Sequence, residues 1–461
     1  MYDKYEIVEK SKNSYYALEG ILVIKFVIKK IRESLSPHTG LVFVGQLLFR
    51  TKIAKRVNAI PSPKCMSTDI SNSDVLYSYI GLLTQGKSTY EDIEEFRDDD
   101  FFPKVLGIEK IPSCSTMRQR MDYSKENFHE IIAEETIQLL KFCNPTITPC
   151  FLGLLPLDID VSPFDNSQTK KEEVSRTYKG FDGYSPIFAY IGQEGYCVNT
   201  ELRPGKTHCQ SNTAAFLAQS ILNCKTITNK PLLVRLDSGN DSKDNIEICL
   251  EKDTKADFLI KRNLRKEKPE HWLEIAEEKG EHSEERPGKE VYVGSIYRSI
   301  PVIKHPVRIV FKVIKRTSTA DGQRLLFPSI EAETYWTSLK EDEKSIIELY
   351  HDHGTCEQFH SEIKSDMGLE RFPSGKFATN QLILLLAMLA YNILRLIGQE
   401  SLKKPDAPVR NNVKRRRLKT VIQNLITMAS KLVYHARRYY IKICSKNPWF
   451  NTFNRIYEAF Q

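Results

Sequence analysis

Residues 350–364 read YHDHGTCEQFHSEIK and place three histidines, two glutamates and a lysine within fifteen positions. Gly354 and Thr355 resemble a helix start, which puts Glu357 in the first turn. On helical spacing Glu357, His360, Ser361 and Lys364 then share one face, so a carboxylate and an ammonium line one groove. Two more carboxylates stand out because they close apolar runs. Asp160 ends LGLLPLDID and Asp237 ends PLLVRLD, each followed by small or polar residues. An ionised carboxylate without a partner is costly to bury, so an aspartate in such a run needs a reason. Taken alone, each aspartate can equally be the cap of a turn after its strand. Taken with Glu357, three carboxylates meeting at one edge would repel one another unless divalent cations sat between them. Two Mg²⁺ ions about 3.5–4 Å apart on oxygen ligands suit phosphodiester chemistry, activating a water or a 3′-hydroxyl and stabilising both attacking and leaving oxygens.

Such a site needs a sheet that brings two strand ends together and a helix that lies across them. After Pro149, FLGLLPLDIDV alternates so that Asp158 and Asp160 face the same side. SPIFAYIG, the turn QEG and YCVNTELRPG then read as a hairpin, Asn212–Leu222 as a helix and PLLVRLDSG as another buried strand. Strand, strand, strand, helix, strand is the opening order of a ribonuclease-H-like α/β core. The expected organisation is an all-α region over 1–145, the first part of the core over 146–240 and a β-rich insertion over 241–335. The second part of the core, with Glu357, occupies 336–400, and a basic helical segment occupies 401–461.

Within the first region, Ser73 is the expected cap of the helix DVLYSYIGLL. Arg118 and Arg120 project from the first turns of another helix, toward either a DNA groove or solvent. The run from Leu382 to Gly398 is apolar, but Arg395 interrupts its end and a membrane span needs about 20 such residues, so a buried core helix is expected. The first residues are charged and lack the apolar stretch of a secretion signal.

The chain has 461 residues, 67 Lys and Arg against 59 Asp and Glu, and a net charge of +8. That excess is too small to identify a polyanion partner, and its distribution says more: VKRRRLK and YHARRYYIKICSKNPWF cluster it near the C-terminus with aromatics between. The ten cysteines form no C-x-x-C pair and no zinc spacing, as expected of reduced thiols in a cytosolic protein.

The segment 350–364 resembles the signature of bacterial insertion-sequence DDE transposases, the group-1 DDE-domain family. That signature places on one helical segment a Tyr, an Arg three positions on, a Glu four beyond and a Lys seven further. Tyr350, Glu357 and Lys364 fit this spacing, and His353 stands where the arginine is expected. LDIDVSPFDNS, YKGFDGYSPIFAYIG, LRPGKTH, RLDSGND and SDMGLERFPSG are similar to the same family, from about Gly40 to the C-terminal PWF.

The resemblance implies that Asp160, Asp237 and Glu357 are the catalytic, metal-binding triad for two Mg²⁺ or Mn²⁺ ions. Asp158 and Glu362 are the alternatives for the first and third acid. Tyr350, His353, Lys364 and Arg371 are the expected DNA contacts, with His351, Cys356 and His360 in supporting places. A histidine at 353 is mostly neutral near pH 7 and donates fewer bonds than an arginine. The implied activity is cut-and-paste transposition on double-stranded DNA, acting on terminal inverted repeats and target. It implies at least a homodimer on DNA, in a bacterial cytoplasm at the nucleoid and without a membrane partner. The alternatives are a nuclease that does not transpose, or a DNA-binding descendant that has lost catalysis.

Overall fold

The computed structural model describes residues 6–10, 13–18, 21–30, 32–61, 69–409 and 413–461. Its centre is a sheet whose first five strands are β1 (Leu155–Val161), β2 (Ile187–Ile191), β3 (Tyr196–Glu201), β4 (Leu232–Leu236) and β5 (Asp257–Lys261). They lie in the order β3-β2-β1-β4-β5. β1, β2 and β3 form an antiparallel meander, while β1, β4 and β5 run parallel. The parallel strands are covered on both faces, which is why LPLDIDV and LLVRL are apolar almost throughout.

The insertion extends this sheet. β6 (Glu281–Arg286), β7 (Lys289–Arg298), β8 (Val307–Ser318) and β9 (Arg324–Thr337) form an antiparallel array, and β9 pairs with β5. Asp257–Lys261, within the stretch expected as the insertion, pairs in parallel with β4. Its five residues sit between charged segments, and only the pairing reveals their place.

Helices α1 (Cys114–Cys143), α2 (Thr213–Ile227), α3 (Glu343–His351), α4 (Cys356–Ser361) and α5 (Phe377–Leu402) complete the frame. α5 packs on α1 and β3, and 94% of its most apolar window is buried, so it is a core helix. Its buried Asn392 accepts from the Cys197 N–H at 2.9 Å and donates to the Cys197 carbonyl at 2.7 Å. This amide satisfies the edge strand where its register shifts, each such bond contributing about 1 kcal/mol.

The terminal regions differ from expectation in four respects. Short strands occur in the first region at Glu6–Lys10, Asn13–Leu18, Ile21–Ile24 and Ser34–Ser36, so it is not all-α. The helix after residue 70 is capped by Ser71, not Ser73, in a reciprocal box with Asp74, and Arg120 is fully buried against Asn72. The C-terminal segment is only partly helical: β10 (Ser430–His435) and β11 (Arg438–Ile443) form a hairpin that pairs with Ser34–Ser36.

Candidate active site

The register between β1 and β4 sets the site. Asp158 lies opposite Arg235 and Ile159 opposite Leu236, so one step further brings Asp160 beside Asp237 at the C-terminal edge of parallel strands spaced about 4.8 Å apart. Asp237 follows the last residue of β4 and starts a tight turn over Ser238–Asn240, where the Asn240 amide donates to its Oδ1 at 2.7 Å. Burial, and next the charge of Asp160, raise the Asp237 pKa above the ordinary carboxylate value. Asp160 remains a quarter exposed. Burial works against its charge, but His360 and the Val161 N–H outweigh it and hold its pKa low.

The expected third acid, Glu357, lies on α4. Tyr350 to Lys364 is not one continuous α-helix: α3 ends at His351, a 3₁₀ turn spans Asp352–Thr355, α4 follows, and a π-turn spans Glu362–Asp366. Glu357 is exposed on α4, whereas Phe359 and His360 are buried. Phe359 packs where Gly195 turns the β2–β3 hairpin. A Cβ on Gly195, at φ +71°, would lie 2.2 Å from that ring. The glycine thus lets α4 rest directly on the sheet, with Glu357 facing outward.

His360 ties helix to strand: Nε2 lies 3.3 Å from Asp160 Oδ2, and Nδ1 lies 3.3 Å from the Tyr190 hydroxyl. This supporting contact was anticipated only as packing or indirect support. Sequence reasoning missed Tyr178, at the tip of the Thr177–Phe181 hairpin, although it lies in the quoted YKGFDGY segment. Its ring is 70% exposed and its hydroxyl donates to the Val161 carbonyl at 3.3 Å. Partial burial of that hydroxyl, followed by the charges of Asp160, Asp237 and Glu357, pushes its pKa up to about 12.

The remaining expected residues are distributed unevenly. Tyr350 is half-buried against Tyr335, and burial, then the charges of Asp237 and Asp160, raise its pKa. Lys364 donates to the Pro163 carbonyl at 2.6 Å and lies over the Phe164 ring; burial lowers its pKa to about 8. Arg371 is exposed on the loop after the π-turn. His353 faces inward, 6% exposed, with Nδ1 2.9 Å from Asp158 Oδ1, so a phosphate contact would require it to leave that partner.

Both alternative acids are engaged elsewhere. Arg235 grips Asp158 with two bonds of 2.6 and 2.7 Å. Glu362 is buried between Arg395 and Arg415. Arg415 also reaches Gln358, and Arg417 holds Asp366, so the basic run after Val413 borders the Glu357 helix around an open hollow of about 410 Å³.

A carboxylate set suits hard divalent cations. The fit is supported by the crowding of Asp160 on Asp237, which a cation between them would relieve, and by the exposure of Asp160 and Glu357. Asp158, His353 and Cys356 also bring an oxygen, a nitrogen and a sulfur within 4.8 Å. That group does not fit: the Arg235 guanidinium occupies both Asp158 oxygens, and burial and then the Asp158 charge raise the Cys356 thiol pKa well above its usual range. It is a buried hydrogen-bonded brace.

No curated protein matches the chain. Among solved structures, a piggyBac transposase synaptic complex with hairpin DNA is similar at 13% identity and a TM-score of 0.43, over 84% of this chain and 78% of that one. The family model described as transposase DDE domain, group 1, matches residues 27–461. Matched over nearly its whole length, the chain belongs to the group 1 family of DDE-domain transposases.

Proposed function

We propose that this DDE transposase cuts DNA at transposon ends and transfers the freed 3′-hydroxyl strand to a target, with Asp160, Asp237 and Glu357 holding two divalent cations, Mg²⁺ or Mn²⁺. The observation that carries the reading is the β1–β4 register, which sets Asp160 beside Asp237, together with the His360–Asp160 contact that ties the helix of Glu357 to β1. The order β3-β2-β1-β4-β5, with β1, β4 and β5 parallel, supports assigning the core as ribonuclease-H-like.

When bound, the cations supply Lewis acidity and neutralise charge on the reacting phosphodiester. The chain's own residues do the positioning. His360 fixes the Asp160 carboxylate and Asn240 that of Asp237. Tyr350, Lys364 and Arg371 hold the strand by its phosphates, and Tyr178 covers the mouth of the site. The helical region up to about 145, the insertion and the basic C-terminal segment take the terminal repeats. Handling two ends requires at least a homodimer on DNA, working on the nucleoid of a bacterial cytoplasm.

The test is incubation of the purified protein with DNA bearing its element's ends, with and without Mg²⁺. Cleavage and strand transfer are expected only with the metal. Asp160→Asn, Asp237→Asn and Glu357→Gln should each abolish both while retaining DNA. Cleavage unchanged in any of the three would overturn the assignment.

A further inference from the structure

From the hairpin of β10 and β11 we infer a duplex-reading element: the ribbon enters a groove of the DNA beside the cleaved site. This inference rests on the transposase reading above. Between Asp406 and Glu458 the chain carries no acidic residue, and the ribbon stands within that stretch. Its register pairs Leu432 with Ile441 and Tyr434 with Tyr439 on one face, and Lys431 with Lys442 and His435 with Arg438 on the other. Leu432, Ile441 and Ile443 pack on the core and anchor the base. Toward the tip Tyr434 and Tyr439, their rings 4.7 Å apart, are 62% and 59% exposed, so the ribbon projects from the body.

Two features of the ribbon work against its own folding. Like charges directly opposite on neighbouring strands repel, as Lys431 and Lys442 do. Glu33 pairs with Lys431, but no acidic side chain pairs with Lys442, Arg437 or Arg438 among the described residues. The two-residue turn places Ala436 at φ +51° and Arg437 at φ +61°, where Asn-Gly is the favourable choice. Stability is thus given up to set an arginine at the tip and cations along one face. A polyanion removes the repulsion, and a two-stranded ribbon fits the major groove of B-DNA.

The ribbon also has the right starting point. The Leu418–Ile426 helical segment leads directly into it and packs on the π-turn after α4, where Arg417 holds Asp366. One short segment thus joins the cations beside the Glu357 helix, Arg415 and Arg417, to those of the ribbon.

The test uses the full chain, a labelled duplex and a salt series. The variant A436N/R437G/R438A keeps a favourable two-residue turn and removes both tip cations. With about 0.9 counterion released per phosphate contact, its affinity should fall roughly thirtyfold at 0.15 M salt, and its salt slope should drop by about two. The thermal midpoint should stay at or above wild type, which keeps a folding defect distinguishable. Wild-type affinity and slope in the variant would overturn the inference, as would a changed oligomeric state with unchanged DNA affinity. Failure of the transposase reading would appear separately, as absence of metal-dependent cleavage by the wild-type protein; weakened duplex binding by the variant would still support the ribbon.

Discussion

The His360 imidazole joins the Tyr190 hydroxyl to the Asp160 carboxylate, with 3.3 Å on either side, and so links the helix of Glu357 to the strand of Asp160. Partners that orient a metal-binding group typically account for 10–100-fold in metal affinity. His360→Ala should therefore raise the Mg²⁺ concentration needed for half-maximal cleavage by roughly that factor, with much of the rate recovered at saturating metal. His360→Gln, which can keep one bond to Asp160, should fall between. A lowered maximal rate with an unchanged metal requirement would indicate a packing role alone.

Glu357 and Glu362 make a second contrast. Glu357 is exposed, and Gln in its place should leave the unfolding midpoint near wild type while abolishing cleavage. Glu362 lies buried between Arg395 and Arg415, and its neutralisation leaves two guanidinium groups without their counter-charge. Breaking such a buried pair costs about 3–5 kcal/mol. Glu362→Gln should therefore lower the unfolding midpoint markedly in a thermal melt, and an unchanged melt would contradict the buried network.

Lys364 supplies a pH dependence. Burial depresses its pKa to about 8, below the ordinary lysine value, so the cation is present below pH 8 and is lost as pH rises through it. If Lys364 holds a phosphate, the affinity advantage of wild type over Lys364→Met should be largest at pH 7 and shrink toward pH 9. Phosphate contact shifts that window upward. Lys364→Arg, charged throughout, should show no such decline in a fluorescence-anisotropy titration at fixed salt. A pH-independent difference between wild type and Lys364→Met would exclude a role for this charge.

The legible parts of the molecule were those encoded locally. Asp160 and Asp237 each break an apolar strand at its end, and that anomaly is visible without knowing the sheet order. The β2–β3 hairpin, α2 and the buried α5 also follow from alternation and helical period. What could not be read depends on distant partners. Nothing near Asp158 or Glu362 in the chain reveals that Arg235 and Arg395 will neutralise them, and His353 turns inward because Asp158 is there to receive it. The breaks at Asp352–Thr355 and Glu362–Asp366 leave the helical composition unchanged, so periodicity passes over them. The C-terminal hairpin did carry a signal: Arg438, Tyr440 and Lys442 alternate with Tyr439, Ile441 and Ile443 at a period of two, outweighed by the basic, helix-compatible composition around them.

Iron-directed hydroxyl-radical cleavage of the protein tests most directly whether the three acids share one metal site. Fe²⁺ replaces Mg²⁺, and ascorbate with peroxide then cuts the backbone close to the bound ion. Cuts are expected near residues 160, 237 and 357 together, competed by Mg²⁺ or Mn²⁺, and all three should disappear in Asp237→Asn. Cuts confined to one of these segments, or a pattern indifferent to Asp237→Asn, would contradict the shared site.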